Sequence, residues 1–371
     1  MQASNAVLRN LNARLYMCAE TLFAVARNTV LVHVASDCLN DEAIVSPPPL
    51  SNLLGRPLRM SELAQISGFI AVLEQDGRVL EADWLAQIEL PYTSFGLLEK
   101  EGLLVWPEGL DLLNADVIDG LLAKHSSQFE MHIHKCIPST NTLLVEEAQS
   151  KGIDNQVHLA EFQYQGRGRR GRQWLSPYAR NLAVSLGRAS ERALADLGGL
   201  SLVVGLALAE GLETAGVKGI SLKWPNDLWV NNKKLAGILV ELVSSEAGTR
   251  VIIGFGVNVD LSDDEILSID QPVTDARRCG SSADRNSLVA HCLKALTQYL
   301  DHFEENGFKP FINGFNALHI LHGADCNLIS AGETPDRAVK VLGVGEMGEL
   351  IVETEAGTER IHGGEVSIRP T

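Results

Sequence analysis

Between Leu112 and Phe315, short apolar runs alternate with longer stretches of helical periodicity, and this alternation restricts the fold more than any other feature. The runs are Leu182-Ala183-Val184-Ser185-Leu186 and segments 220–222, 228–230, 235–242 and 251–258, with a helical stretch over 200–215. Short runs rich in Leu, Ile and Val read as strands with at least one covered face, and the helices between them supply the cover. The pattern predicts a core of the α/β or α+β class, a sheet with helices packed on it.

The flanks read differently. Pro47-Pro48-Pro49, Gly55 and Pro57 break any periodicity in residues 1–59, which read as an extension, flexible or foreign to the natural product, ahead of Met60-Ser61-Glu62, an equally good beginning. Leu63, Ile66, Phe69, Ile70 and Leu73 recur at helical spacing, a second helix fits Ala82 to Ile88, and a third runs from Pro91 to Gly102 before a β-like run ending at Trp106. Together these suggest a small winged helix-turn-helix domain over 60–111. Its candidate reading helix offers one base, Lys100, between Glu99 and Glu101. Phosphate contact there is repulsive, so a degenerate packing or dimerisation module is preferred to a DNA reader. After Leu318, segments 326–329, 338–344, 350–354 and 360–361, separated by Gly-rich turns, read as a small all-β domain. The expected division is 1–59, 60–111, 112–317 and 318–371.

Composition narrows the partners. The chain has 371 residues, 45% hydrophobic and 21% charged, with no apolar run expected to span a bilayer, which argues against a membrane protein. A net charge of −16 means that a nucleic-acid or anionic-membrane partner would need a local basic patch. Cys18, Cys38, Cys136, Cys279, Cys292 and Cys326 form no CxxC pair and fit a reducing cytosol.

Against that acidic background, Gly166-Arg167-Gly168-Arg169-Arg170-Gly171-Arg172 sets four arginines among three glycines. Guanidinium forks match phosphate or carboxylate, and glycines let the backbone approach a ligand. A small polyanion is the natural partner. A solvated basic loop and a nucleic-acid patch are the competing readings, but the flanking Phe162, Trp174 and Leu175 are pocket-like. Downstream, Lys223-Trp224-Pro225-Asn226-Asp227 leads through Asn231-Asn232, a hairpin turn signal, to Lys233-Lys234-Leu235-Ala236-Gly237. Strand alternation sends Lys233 and Lys234 to opposite faces, so one at most serves a site. Gly237 within a strand suggests close approach by a ligand or backbone. Ser139, Thr140 and Asn141, standing before a helix over 142–149, would by themselves be read as plain caps.

Taken in order, Ser139-Thr140-Asn141, Gln163 to Arg172, Trp174, Lys223 to Asp227, Lys234 to Leu239, Gly254-Phe255-Gly256-Val257-Asn258 and Gly363-Gly364-Glu365-Val366-Ser367 closely resemble the biotin protein ligases. The resemblance is to the bacterial bifunctional type, whose N-terminal winged helix-turn-helix represses the biotin operon. It implies an α+β catalytic domain of biotin/lipoate-ligase type, with a winged-helix-like domain before it and a small SH3-like β domain after it. The implied activity has two steps: ATP and biotin give biotinyl-5′-AMP and pyrophosphate, and a lysine of a biotin carboxyl carrier domain then takes the biotin. The carrier would belong to acetyl-CoA carboxylase or another biotin-dependent enzyme.

The resemblance places Ser139, Thr140, Asn141, Gln163, Arg167, Gly168, Arg169, Lys234 and Gly237 around biotin. It places Arg170, Arg172, Trp174, Asn226, Asp227 and Asn258 toward ATP and the adenylate, with Asp227 at Mg²⁺. Because an anionic carboxylate must attack an anionic phosphate, Arg167, Arg169 and Lys234 are the catalytic candidates. A cytoplasmic address and a homodimer are also implied, and repression and lipoate attachment are the alternative functions. Two departures stand out. The loop in which repressor members carry an adenine-stacking tryptophan reads Gln271-Pro272-Val273-Thr274, and the reading helix lacks basic residues. His132, His134 and Cys136 alternate on one strand face but have no second ligand cluster, so a structural role is preferred to metal binding.

Overall fold

The computed structural model describes residues 60–76, 78–88, 92–95, 97–106, 109–123, 129–245, 248–330, 337–362 and 366–370. The expected extension 1–59 and Gly363-Gly364-Glu365 lie outside them. The chain divides between Gly109 and Leu110 into two compact units.

In the first unit, helix α1 (Met60–Asp76) leads to strand β1 (Arg78–Leu80), helix α2 (Glu81–Gln87), a 3₁₀ turn (Tyr92–Phe95) and strands β2 (Leu98–Lys100) and β3 (Leu103–Val105). The antiparallel sheet has the order β1-β3-β2. Trp84 is the centre of its core, with edge-to-face contacts to Phe69 and Phe95 at centroid distances of 5.5 and 5.1 Å. The helix expected from Pro91 to Gly102 is not formed. Among the described residues of that stretch Tyr92–Phe95 winds as a 3₁₀ turn, and Leu98–Lys100 is extended because it pairs with Leu103–Val105 in an antiparallel hairpin. Glu101 and Gly102 then take positive φ (55° and 77°) as the hairpin turn between β2 and β3.

The second unit is built on a seven-stranded mixed sheet. In chain order its elements are α3 (Ala115–Leu122), β4 (Glu130–His134), α4 (Thr140–Ala148), β5 (Gln156–Ala160), β6 (Asn181–Ser190), α5 (Leu200–Thr214), β7 (Ile220–Lys223), β8 (Asp227–Val230), β9 (Lys233–Ser245), β10 (Gly248–Asn258), α6 (Asp263–Ser268), α7 (Arg285–Asn306) and α8 (Ile312–Leu318). The strand order is β4-β5-β6-β10-β9-β8-β7, with β4 and β5 parallel and the other neighbours antiparallel. This is the α+β arrangement.

Strand alternation decides what each face carries. Val251, Ile253, Phe255 and Val257 of β10, with Leu182, Val184 and Leu186 of β6, join the main core beneath α5 and α7. Ile252 points the other way, to a small cluster with Leu144 and Ala148 of α4. One face thus carries the main core, while α4 packs on part of the other. Leu194–Thr214, a 3₁₀ turn running into α5, is long and apolar enough by composition to cross a membrane, contrary to the expectation that no run reaches that length. Its apolarity serves burial: Val203, Val204, Ala207, Leu208 and Leu212 are enclosed in the core.

A five-stranded antiparallel sheet follows in the same unit, made of β11 (Asp325–Ser330), β12 (Arg337–Val344), β13 (Leu350–Thr354), β14 (Gly357–Ile361) and β15 (Val366–Pro370), in the order β14-β13-β12-β11-β15. Leu328, Val339, Val341, Leu350 and Val352 extend the main hydrophobic core. The turn after β12 touches the larger sheet directly, where Trp224 Nε1 donates to Gly348 O at 3.0 Å.

Candidate active site

The half-open face of the large sheet has a floor of glycines. Since residues 253, 255 and 257 point into the core, Gly254 and Gly256 of β10 face the cleft, and Gly256 pairs in register with Gly237 of β9. A Cβ on Gly254 would lie 2.0 Å from Asn141 Oδ1, and one on Gly256 would lie 2.4 Å from Trp174 Cε2. At Gly237 the Cβ would meet Lys234 Nζ and Trp174 Cζ3, each at 3.3 Å. The close approach expected at Gly237 is therefore made by side chains, which need the space that glycine leaves.

A buried polar network closes one end of the cleft. Ser139, Thr140, Asn141, Gln163 and Ser185 are all buried. Gln163 Oε1 accepts from Thr140 N at 2.8 Å, and Ser185 Oγ donates to Asn141 Oδ1 at 2.5 Å and lies 2.7 Å from Thr140 Oγ1. Ser139 occupies the N-cap of α4 yet makes no side-chain cap bond, so capping does not account for its hydroxyl. Ser185 escaped sequence reasoning, although it is the polar residue in an otherwise apolar run and faces the same way as the glycines.

The cationic end is built from two turns. In the arginine loop, Gly168 N donates to Arg172 O at 2.7 Å, and Arg170 and Gly171 take φ of 58° and 70°. This crimp separates the arginines: Arg169 turns inward and donates from Nη1 to Asn226 Oδ1 at 3.3 Å, while Arg170 and Arg172 are exposed. Burial, and then the neighbouring Arg170, lower the pKa of Arg169, and Asp227 opposes them. A guanidinium keeps its charge under such a shift.

The other turn is the β8–β9 hairpin. Asn231 and Asn232 have φ of 50° and 59°, the positive-φ pair that such a tight turn requires. Lys233 is exposed, whereas Lys234 points into the cleft and places Nζ 2.9 Å from Asp227 Oδ1 and 5.6 Å from the Trp174 ring centre. Asn226 is held to β9 by reciprocal bonds with Ile238, O accepting at 2.9 Å and Nδ2 donating at 2.8 Å. The buried indole Nε1 of Trp174 has no hydrogen-bond partner among the described residues.

The remaining expected residues are placed as follows. Asn258 spends its amide on Thr274 O at 3.0 Å, so it anchors the 271–274 segment. That segment lies along Lys234, which donates from its backbone N to Pro272 O at 2.9 Å. Arg167 is bound by Glu241 of β9 at 2.9 Å. Glu241 was also missed, though counting by two from Gly237 puts it on the cleft face. Asp227 is the carboxylate beside the hairpin lysine, as Glu241 is beside Arg167, and no cluster of three or more His, Cys, Asp or Glu side chains that could hold a metal occurs among the described residues. His134 Nε2 lies 3.0 Å from Nδ1 of His158, a histidine of β5; the His134 ring stacks on it and the His132 ring is tilted against it by 37°. Cys136 is partly buried, and desolvation pushes its thiol up to about 12.

Residues 133–258 match the biotin/lipoate A/B protein ligase family, a stretch that spans the floor, the arginine loop and the hairpin. The bifunctional ligase/repressor BirA of Escherichia coli K12 is 34% identical over 267 residues, covering 71% of this chain and 80% of that protein. The chain belongs to the biotin protein ligase family. The biotin–[acetyl-CoA-carboxylase] ligase of Paracoccus denitrificans is 31% identical over 214 residues, 56% of this chain and 88% of that ligase. Among solved structures, the Aquifex aeolicus biotin protein ligase in complex with biotin and ATP superimposes with a TM-score of 0.56 at 29% identity, covering 65% of this chain and 99% of that one. The match extends well beyond the short motifs.

Proposed function

We propose that this family member forms biotinyl-5′-AMP from biotin and ATP and passes the biotin to a lysine of a carrier domain. The observation that carries the reading is the convergence of Arg169, Asn226, Asp227 and Lys234 beside Trp174, over a glycine floor whose other end is closed by Thr140, Asn141, Gln163 and Ser185. One end suits a neutral ring with donors and an acceptor, the other suits anions.

In the first step a biotin carboxylate oxygen attacks the α-phosphorus of ATP. The new P–O bond replaces the bond to the β-phosphate bridging oxygen, and pyrophosphate leaves. Both reactants are anionic, so Arg167, Arg169 and Lys234 offset their repulsion and the charge developing in transfer. Ser139, Thr140, Asn141 and Gln163 take the biotin head, with Gly168 and Gly237 giving its chain room. Trp174, Asn226 and Asn258 border the adenylate, and Arg170 and Arg172 reach the phosphates from the exposed side of the loop. Segment 271–274 carries no aromatic, and Trp174, beside Lys234, is the aromatic assigned to the adenylate.

A single carboxylate fits Mg²⁺, which takes one or two protein carboxylates and draws its other ligands from phosphates and water. Asp227 would hold it, and the bound ion would neutralise phosphate charge. In the second step the amine of a carrier lysine attacks the carbonyl carbon of the mixed anhydride; AMP leaves and the nitrogen loses a proton. The loop at 166–172 shields the anhydride from water until then.

The carrier is the biotin carboxyl carrier domain of acetyl-CoA carboxylase or of another biotin-dependent enzyme. The three-stranded sheet and helices of the first unit suit a degenerate winged helix, residues 318–371 an SH3-like domain, and the protein a possible homodimer. Operator binding is disfavoured by Glu99 and Glu101 about Lys100 and by the absence of a reading helix at Tyr92–Phe95. The free thiols of Cys136, Cys279, Cys292 and Cys326 suit a reducing cytoplasm. The test is whether purified protein with ATP, Mg²⁺ and biotin labels a carrier domain, and whether Lys234→Ala does not.

A further inference from the structure

We propose that Glu241 is a positioning residue that ties the arginine loop to the polar end of the cleft by holding Asn141 and Arg167 on one carboxylate. This rests on the ligase reading. Glu241 Oε2 accepts from Asn141 Nδ2 at 2.9 Å and from Arg167 Nη1 at 3.2 Å, and Oε1 accepts from Arg167 Nη2 at 2.9 Å. Three segments remote in sequence, α4, the arginine loop and β9, therefore meet at one side chain.

The two attachments differ in kind. Asn141 donates from Nδ2 to Glu241 and to Leu239 O at 3.1 Å, which turns Oδ1 toward Ser185 Oγ. A flipped amide would set oxygen against both the carboxylate and the Leu239 carbonyl, so Glu241 fixes which end of the amide faces the network. The Arg167 side chain is 44% exposed and that of Glu241 23% exposed. An ion pair this open is weak and salt-screened. It steadies the loop without locking it, while the Asn141 bond, sheltered beneath, persists. Arg167 also reaches Thr142 Oγ1 at 3.4 Å, so the loop is drawn toward the first turn of α4.

Two variants separate the attachments. Glu241→Gln keeps a carbonyl oxygen for Asn141 but drops the charge that holds Arg167, and Glu241→Ala removes both. Without ligand, trypsin should cut within residues 166–172 several-fold faster in both variants than in the wild type. The KM for biotin should rise several-fold in Glu241→Gln and about tenfold or more in Glu241→Ala, with the KM for ATP changing little and kcat falling by less than the KM for biotin rises. Unchanged loop cleavage in both variants overturns the tether. A Glu241→Ala enzyme whose kcat and KM for ATP deteriorate as much as its KM for biotin shows general damage and overturns the positioning role. A wild-type protein that forms no adenylate refutes the ligase reading instead, and the cleavage comparison still decides the tether.

Discussion

Lys234 Nζ stands 2.9 Å from Asp227 Oδ1 at the cationic end of the cleft, each side chain largely buried beside Trp174. In the proposed function this cation would meet the reacting α-phosphate, and its pairing would keep the carboxylate from repelling that group. Removing Lys234 leaves Asp227 without its partner and the transferring group without a donor. Lys234→Ala should lower the rate of adenylate formation by ~10²-fold or more, as loss of a preorganised donor does elsewhere. Single-turnover formation of biotinyl-5′-AMP measures it, and a rate within a factor of about three of wild type would remove Lys234 from the catalytic set.

The glycine floor yields a pair of substitutions with separable effects. Gly254→Ala directs a methyl at Asn141 Oδ1, and Gly256→Ala directs one at Trp174, at 2.0 and 2.4 Å respectively without movement. Each should destabilise the fold by roughly 1–3 kcal/mol through overpacking. Gly254→Ala should chiefly weaken biotin binding and Gly256→Ala nucleotide binding, as read by calorimetric titration with each ligand separately.

Arg169 is the inward-turned arginine of the loop and bonds to Asn226 at 3.3 Å. In Arg169→Ala the loop loses that attachment, so the adenylate should escape faster and acylate lysines less selectively. Retention of the intermediate as long as in wild type, followed by filter binding, would contradict the shielding role.

The stacked histidines predict a pH dependence of stability. Burial, and then His134, push His158 down to about 4, and burial likewise pushes His319 down to about 4. Between the ordinary histidine pKa of about 6.5 and that value, the unfolded chain binds protons that the native chain does not. The stabilisation is therefore complete above about 6.5 and is lost as pH falls toward 4. Urea denaturation across that range measures it, and His158→Gln should flatten the curve.

Much of this was legible in the sequence because the relevant signals are local. Asn231-Asn232 specifies a hairpin by backbone preference alone, and the alternating apolar residues of 251–257 declare which face is core. Strands 338–344 and 350–354 were visible for the same reason. What escaped depends on distant partners. Ser185, Glu241 and His158 acquire their surroundings only when β6, β9 and β5 come beside α4 or β4, contacts between residues 24 or more positions apart. The segment after Pro91 misled because its charged residues permit a helix, whereas Leu98–Lys100 pairs with Leu103–Val105 across a turn that local periodicity does not announce.

The most direct test is a crystal structure with biotin and ATP bound. It should show the ring system against Ser139, Thr140, Asn141 and Gln163, the reacting carboxylate and phosphate lying over Gly237 and Gly256 near Lys234, and residues 166–172 folded across them. Ligands lodged in some other hollow, with the arginine loop facing bulk solvent, would contradict the account.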